Sequence, residues 1–259
     1  MEVVLIGSGS VATHLGLALK EKGVTICQVY SRNVKNAEKL AEKLNTTFIT
    51  DITYIYKNAD FYFYALTDNA FKSLLRKIEM PKGIQVHTAG CIPMSEFEGF
   101  TIKYGVFYPL QTFSINKPVD FSQVPICIEA SDLEVQQKLL DIANLLSNKT
   151  YIINSEQRKK LHLAAVFACN FTNYMYDIAS MILDDSGFQF EIIRPLIAET
   201  AEKIKTLNPY NAQTGPAIRM DDKTIEKHLS MLNKNSDFKK IYKLLTKNIH
   251  NRHNKNKSV

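Results

Sequence analysis

Hydrophobic and polar positions follow two different patterns along this chain, and the change falls near residue 153. In the first part, short apolar or β-branched runs alternate with stretches of helical periodicity, which is typical of a parallel sheet with crossover helices. The predicted strands are residues 2–6, 24–30, 47–49, 61–65, 84–87, 105–108 and 125–129, and the predicted helices are residues 12–22 and 36–44. The pattern therefore predicts an α/β domain.

Beyond Ser131 the pattern becomes helical. Ser131 or Asp132 is a candidate cap for a helix over residues 133–146, and residues 150–153 add one more strand. The longest predicted helix covers residues 155–183; it is apolar on nearly every side, which favours burial in the middle of a bundle. Further helices are predicted at residues 191–207, 222–232 and 237–248, with a loop at 208–219. We therefore expect an α/β domain over residues 1–153, an all-α domain over 154–247 and a disordered basic tail over 248–259.

The first strand leads directly into Gly7, Ser8, Gly9, Ser10, Val11 and Ala12, a G-x-G-x-x-A form of the Rossmann dinucleotide fingerprint. Gly7 permits the tight turn and Gly9 lets the backbone approach a pyrophosphate. Ala12 is small enough for close packing of helix on strand. Because the motif lies between a predicted strand and a predicted helix, it predicts that these six residues bind a dinucleotide.

The end of the second strand indicates which dinucleotide is bound. An NAD enzyme usually has Asp or Glu there to hold the ribose 2′-hydroxyl, whereas this chain has Ser31 and Arg32. A guanidinium and a hydroxyl suit a 2′-phosphate, which predicts NADP(H) as the cofactor. The alternative is that Arg32 is a solvated loop arginine.

Two further loops follow strands at the edge where the nicotinamide is expected. One contains Leu66, Thr67 and Asp68, and the other contains His87 and Thr88. We predict that all five residues contact the cofactor, although Asp68 equally fits a helix N-cap.

These segments, together with the run from Tyr108 to Thr112, resemble a group of bacterial predicted oxidoreductases. Those proteins join a Rossmann-like N-terminal domain to a C-terminal helical domain of unknown function. Motifs of the second half agree, namely residues 161–165, 170–173 and 213–217. The wider superfamily includes 6-phosphogluconate dehydrogenase, β-hydroxyacid dehydrogenases, pyrroline-5-carboxylate reductase and deazaflavin-dependent NADP reductase. The resemblance implies a site between the domains and a homodimer formed by the helical domains.

The chain departs from these relatives where their catalytic residues lie. The β-hydroxyacid enzymes carry Lys and, four residues later, Asn on the long helix, whereas this helix has His162 and then Val166. The resemblance therefore transfers no substrate to this chain.

Hydride transfer requires a proton donor near the nicotinamide, and three residues are predicted to be catalytic: His162, Asn170 and His87. With a period of 3.6 residues, a polar stripe runs along the long helix through His162, Val166, Cys169, Asn173 and Asp177, with Asn170 at its edge. His162 is the preferred general acid and His87 the alternative acid. A structural histidine bonded to backbone is the other interpretation of His162. Asn170 and Asn173 either orient a substrate or join helices, and Arg219 either binds a carboxylate or ties a loop.

The composition excludes several classes of protein. The net charge of +6 is concentrated near the C-terminus, which favours a solvated tail over a nucleic-acid arm. The four cysteines have neither disulfide nor metal spacing, and no signal peptide or membrane span is evident, so we expect a cytoplasmic protein without metal, membrane or nucleic-acid partners.

The predicted function is thus an NADP(H)-dependent oxidoreductase acting on a small, anionic metabolite. A non-catalytic dinucleotide sensor or scaffold is the alternative.

Overall fold

The computed structural model of the chain describes residues 1–254. Its internal contacts define two compact units, Met1–Phe171 and a second that begins at Thr172. This division falls later than residue 153 because the contacts assign the first half of the long helix to the unit that contains the sheet. The division into a cofactor domain and a substrate domain at residue 153 stays a prediction.

The first unit is built on one eight-stranded sheet in the order β3-β2-β1-β4-β5-β6-β7-β8. Its strands are β1 (Glu2–Ile6), β2 (Thr25–Tyr30), β3 (Thr47–Ile49), β4 (Phe61–Tyr64), β5 (Ile84–His87), β6 (Tyr104–Pro109), β7 (Ile126–Ala130) and β8 (Thr150–Ile152). Strands β1 to β6 are parallel, as the pattern predicts. The sheet and the helical region after it confirm the predicted fold class.

Strand β7 differs from the predicted parallel pattern, because it pairs with β6 in antiparallel register. A parallel return requires a crossover of a dozen or more residues, usually a helix. The connection from β6 to β7 contains only one short 3₁₀ turn, Phe121–Gln123. The chain therefore turns back along the sheet at this point.

Helices cover both faces of the sheet. They are α1 (Ser10–Glu21), α2 (Val34–Leu44), α3 (Asp68–Leu75), α4 (Leu133–Leu146) and α5 (Ser155–Ala165). Alternate residues of β1 point to opposite faces: Leu5 lies in the core with α1, α2 and α4, while Ile6 lies in the core with α3. A third small cluster forms where Leu161 of α5 packs against Val106 and Tyr108 of β6. This last contact fixes α5 at the sheet.

The long predicted helix is present but is not buried. It consists of α5, a π-helical segment (Val166–Phe171) and α6 (Thr172–Asp184). Among its apolar side chains, these are largely exposed: Leu163, Phe167, Phe171, Tyr174, Met181 and Ile182. The structure therefore does not show the burial in the middle of a bundle that the sequence pattern predicts for this helix.

The second unit contains α6, α7 (Arg194–Thr206), α8 (Pro209–Ala212), α9 (Pro216–Arg219), α10 (Asp222–Met231) and α11 (Ser236–Asn254). Helix α11 continues past residue 248, where the sequence predicts a disordered tail. Its end is packed, since His253 stacks on Tyr210 with ring centroids 4.2 Å apart. The remainder of the predicted tail, residues 255–259, lies outside the described part of the chain. Within residues 1–254, no helix is both long enough and apolar enough to span a membrane.

Candidate active site

The turn between β1 and α1 requires glycine at its first position. Gly7 has φ +126° and its N–H donates to the carbonyl of Tyr30 at 2.8 Å. A Cβ there would lie 2.2 Å from the carbonyl oxygen of Ala65, so no side chain fits. Ala12, one turn into α1, is completely buried. These contacts agree with the roles predicted for both residues in the fingerprint.

Gly9 differs from Gly7, because a Cβ built there would meet no atom within 4 Å, so the fold itself does not require glycine at this position. Gly9 occupies the N-cap position of α1 and has no side chain that could accept a hydrogen bond from the first turn. No acidic residue lies in that turn either. The N–H groups that begin the helix, at Ser10, Val11 and Ala12, are therefore free of side-chain acceptors and suit a phosphate. The space beside Gly9 fits the close approach of a pyrophosphate.

The order of the strands places the phosphate loop at a topological switch point. The chain leaves β1 toward β2 on one side, while β4 pairs with β1 on the other side. The loop after β4 supplies half-buried Leu66 and exposed Thr67 and Asp68. Thr67 is the N-cap of α3, and Asp68 is the first helical residue, not the N-cap. All three lie at the cofactor edge of the sheet.

Ser31 is held by two neighbours at the end of β2. Its Oγ accepts a hydrogen bond from the Ser8 hydroxyl at 2.8 Å and another from the Asn33 N–H at 3.3 Å. With both lone pairs engaged, the Ser31 hydroxyl keeps its hydrogen for an outside acceptor. Arg32 is exposed and forms no ion pair with any residue in 1–254. A free donor and a free cation are what a 2′-phosphate requires.

His87 lies at the end of β5 but points into the core. It is fully buried and packs against Phe71 and Phe97, with ring centroids 5.5 and 5.9 Å away. Burial, and then the charge of Arg158, lower its pKa to about 3. The backbone of Pro93 favours the charged form, but Nε2 makes no hydrogen bond of ordinary geometry.

This environment argues against the predicted acid and cofactor roles of His87, since an imidazole that stays neutral and buried is not an effective proton donor at neutral pH. Its Nδ1 instead accepts the N–H of Ala89 at 3.2 Å and shapes the following turn. Thr88 is also buried, and its N–H donates to the carbonyl of Tyr64 at 3.1 Å. Both residues thus shape the loop that leads to Gly90.

His162, by contrast, lies at the surface of the first unit beside the ends of two strands. Its Nδ1 is 2.9 Å from the hydroxyl of Tyr108, the fifth residue of β6. On its other side the imidazole packs on Gly90, where a Cβ would lie 2.5 Å from Nδ1. Strands β5 and β6 are parallel to β1, so His162 lies at the carboxyl edge of the sheet, as the phosphate loop does. From the sequence, Tyr108 was identified as part of a family motif, but its contact with His162 was not predicted.

An ion pair anchors the helix that carries His162. The guanidinium of Arg158 pairs with Glu129 of β7 and also donates to the carbonyl of Ile92. Glu129 accepts two more hydrogen bonds, from the N–H and the hydroxyl of Ser155 at the start of α5. Arg158 is completely buried. No signal in the sequence pattern distinguished Arg158 from surface arginines.

The remaining predicted residues are more exposed. Asn170 lies in the π-helical segment and is exposed. Each π turn contains about one residue more than an α turn, so the 3.6-residue spacing of the predicted polar stripe is interrupted there. Asn173 and Asp177 line a groove of about 460 Å³ in the second unit, together with Arg194. Arg219 is the exposed last residue of α9.

No group of three or more His, Cys, Asp and Glu residues in the described chain is arranged to hold a metal ion. The four cysteines, Cys27, Cys91, Cys127 and Cys169, are all free.

Similarity to known proteins agrees with this geometry. The family described as NADP oxidoreductase, coenzyme F420-dependent, matches residues 2–86, and the domain of unknown function DUF2520 matches residues 124–249. The chain is 47% identical to a Bacteroides fragilis protein assigned as an NADP oxidoreductase, with a TM-score of 0.94 over 96% of this chain and 98% of the other. No curated protein is significantly similar to the chain.

Two more distant structures share the fold. The 1-pyrroline-5-carboxylate reductase of Streptococcus pyogenes is 14% identical with a TM-score of 0.67, over 97% of this chain and 98% of that one. The reductive aminase of Aspergillus terreus, crystallised with NADPH and ethyl-5-oxohexanoate, is 13% identical with a TM-score of 0.70, over 95% and 92%. These two structures show the fold alone; the family match over residues 2–86 and the similarity to the Bacteroides fragilis protein confirm the resemblance and the NADP(H) cofactor predicted from the sequence.

Proposed function

This chain belongs to the family that joins an NADP oxidoreductase domain to a C-terminal DUF2520 domain, and on that basis we propose that it transfers a hydride between NADP(H) and a small, anionic metabolite. In this proposal His162 exchanges the proton that accompanies the hydride. The observation that carries it is the position of His162. Tyr108 and Gly90 hold its imidazole at the carboxyl edge of the sheet, and the phosphate loop lies at the same edge.

The cofactor supplies the hydride, and the chain's own residues bind it. The N-terminus of α1 beside Gly9 suits the pyrophosphate, and Ser31 with Arg32 suits the 2′-phosphate. Reduction of a C=O or C=N group places the hydride on carbon and a proton on oxygen or nitrogen. The names of the two distant structures, a pyrroline-carboxylate reductase and a reductive aminase, favour a C=N group. Binding of this metabolite between the two domains, with Asn170 beside it, stays a prediction.

We also propose that the working form is a homodimer joined through the helical region. Within residues 172–254 the buried hydrophobic residues are Ile178 and Ala217 alone. Large apolar side chains of the same region are exposed, among them Ile192, Leu196 and Met231. Helices that expose this much apolar surface need a partner to cover it. A second copy of the chain presents the same apolar residues, so a two-fold symmetric interface would cover both surfaces at once.

Titration of nicotinamide fluorescence tests the cofactor half of the proposal. We expect NADPH to bind at least about tenfold more tightly than NADH, since a charge-assisted hydrogen bond contributes about 1.5–3 kcal/mol. The Arg32→Asp variant should lose this preference. Lys39→Asp makes the same change of charge on an exposed face of α2 and should keep it. Equal affinity of the wild-type protein for the two cofactors would contradict the proposal.

Oxidation of NADPH tests the catalytic half. We would screen 1-pyrroline-5-carboxylate, other small cyclic imines and small keto acids. With the substrate that reacts, His162→Ala should lower kcat by about 10²–10⁴-fold and leave the affinity for NADPH unchanged. If no candidate reacts and His162→Ala changes no measurable output, a non-catalytic dinucleotide sensor becomes the better description.

A further inference from the structure

Tyr108 is placed to control which nitrogen of His162 exchanges a proton. Its side chain is 8% exposed, and it meets the imidazole edge to face, with centroids 6.0 Å apart and an interplanar angle of 68°. The hydroxyl lies 2.9 Å from Nδ1. Nε2 of His162 forms no hydrogen bond to a residue in 1–254, and the ring is half-buried. The two nitrogens therefore have different surroundings.

We propose that Tyr108 is a positioning residue that engages Nδ1 of His162 in every protonation state, so that Nε2 is the nitrogen that exchanges a proton with the substrate. This inference rests on the proposed function of His162. A phenol hydroxyl has one donor and two acceptor sites, so it serves both forms of the ring. With neutral imidazole the hydroxyl donates to Nδ1, which places the ring proton on Nε2. With imidazolium, Nδ1–H donates to the hydroxyl oxygen instead.

The proton balance of the reductive direction is simple. The substrate carbon gains the hydride, the Nε2–H bond of the imidazolium breaks, and its proton bonds to the substrate nitrogen or oxygen. This leaves a neutral ring whose proton is on Nδ1 and is donated to Tyr108, a transient form that differs from the resting neutral ring, in which the proton is on Nε2 and the hydroxyl donates. Protonation of Nε2 from water restores the starting state, and oxidation follows the same path in reverse.

Tyr108 itself does not supply the proton. Burial, and then Cys127 and Cys91, raise the pKa of its phenol to about 12, which makes the hydroxyl a weak acid that keeps its proton at neutral pH. Gly90 completes the arrangement, because it leaves room for the ring against which a Cβ would collide. Strand β6 thus provides the hydroxyl of Tyr108, the turn after β5 provides the space at Gly90, and helix α5 provides the imidazole of His162.

The test is the nitrogen NMR spectrum of His162 in the NADP⁺-bound, full-length protein at a pH where the ring is neutral. We expect the Nε2–H tautomer to dominate in the wild-type protein and both tautomers to appear in Tyr108→Phe. Tyr104→Phe is the matched control, because Tyr104 lies on the same strand and its hydroxyl makes no hydrogen bond within residues 1–254. An unchanged tautomer in Tyr108→Phe overturns the proposal.

Two further measurements separate this proposal from the function on which it rests. Gly90→Ala pushes the ring away from Tyr108 and should give the same mixture of tautomers as Tyr108→Phe. With 1-pyrroline-5-carboxylate as the probe, Tyr108→Phe should lower kcat about tenfold without changing KM for NADPH, and an unchanged kcat would overturn the catalytic role. If the His162→Ala variant has normal kcat, His162 is not the proton donor and the proposed function is wrong. The nitrogen spectrum of the wild-type protein and of Tyr108→Phe still tests whether Tyr108 sets the tautomer of His162.

Discussion

Arg158 and Glu129 form an ion pair one helical turn before His162, and this pair fastens helix α5 to strand β7. The arginine is completely buried and the side chain of Glu129 is 15% exposed. A buried cation that loses its counter-charge is far more costly than an exposed pair that separates. The register of α5 on the sheet, and with it the position of His162, therefore depends on this contact.

Replacing Glu129 by Ala should lower the free energy of unfolding by about 3–5 kcal/mol, because it leaves Arg158 buried without a counter-charge. Glu134→Ala is the control, since Glu134 pairs with Lys103 and Lys138 at the solvent-exposed surface and its loss should change the free energy of unfolding far less. Urea unfolding measures both. If the free energy of unfolding falls equally in the two variants, the buried ion pair contributes no more to stability than the exposed one.

Alanine at the two glycines of the phosphate loop should produce opposite results. Gly7→Ala combines a positive φ with a collision against Ala65 and should destabilise the fold by about 3 kcal/mol or more. Gly9→Ala meets no atom, so its thermal midpoint should stay near that of the wild-type protein. Its affinity for NADPH and NADH should nevertheless fall together, because the methyl group occupies the pyrophosphate position. Unchanged affinity in Gly9→Ala would place the pyrophosphate elsewhere.

His87 should make the fold less stable in mild acid. Its pKa is lowered to about 3 in the folded chain, below the usual value near 6.5, so the unfolded chain binds the proton first. Stability from the neutral ring is complete above about pH 6.5 and is lost as the pH falls toward 3. Between pH 7.5 and 5.5 we expect the loss of about 1 kcal/mol from this group.

The check is urea unfolding of the wild-type protein and His87→Asn at both pH values. An amide oxygen takes the place of Nδ1 and does not titrate in this range. The variant is expected to be less stable overall but to vary less with pH. A pH dependence equal to that of the wild-type protein would assign the acid sensitivity to other groups.

The proposed dimer depends on apolar residues of the helical region. Leu196 on α7 is 66% exposed, and Leu196→Glu should weaken association and yield monomers by light scattering at micromolar concentration. Leu133→Glu is the control, because Leu133 is also highly exposed but lies on α4 of the sheet-containing unit. A wild-type protein that is monomeric at the same concentration would exclude the dimer.

The identity of the cofactor was predictable because its signals are local. Gly7, Gly9 and Ala12 lie within six positions, and Ser31 with Arg32 directly follows a strand. Helix α3 was given no range in the sequence analysis, although Asp68 was noted as a possible helix N-cap. The close spacing of Phe71, Leu74 and Leu75, which lie on one face and are all buried, was a usable signal for it.

The arrangement around the proposed proton donor was not predictable from the sequence, because its contacts join distant positions. His162 was selected for its chemistry, but Tyr108 lies 54 positions earlier and Gly90 earlier still. His87 has the same side chain at a strand end, and nothing in the sequence indicated that its ring turns inward between Phe71 and Phe97. Side-chain direction at the last residue of a strand depends on the pleat and its neighbours, which a pattern of residue types does not record.

The close packing of Gly90 on His162 has an evolutionary consequence. The space that a side chain would take at position 90 is filled by the imidazole. Relatives that keep a histidine at position 162 should therefore keep glycine at 90, whereas relatives that place a smaller residue at 162 are free to carry alanine or serine there. The two positions, far apart in the chain, should change together, and glycine at position 90 with histidine at position 162 would mark the members of the family that share the proposed proton donor.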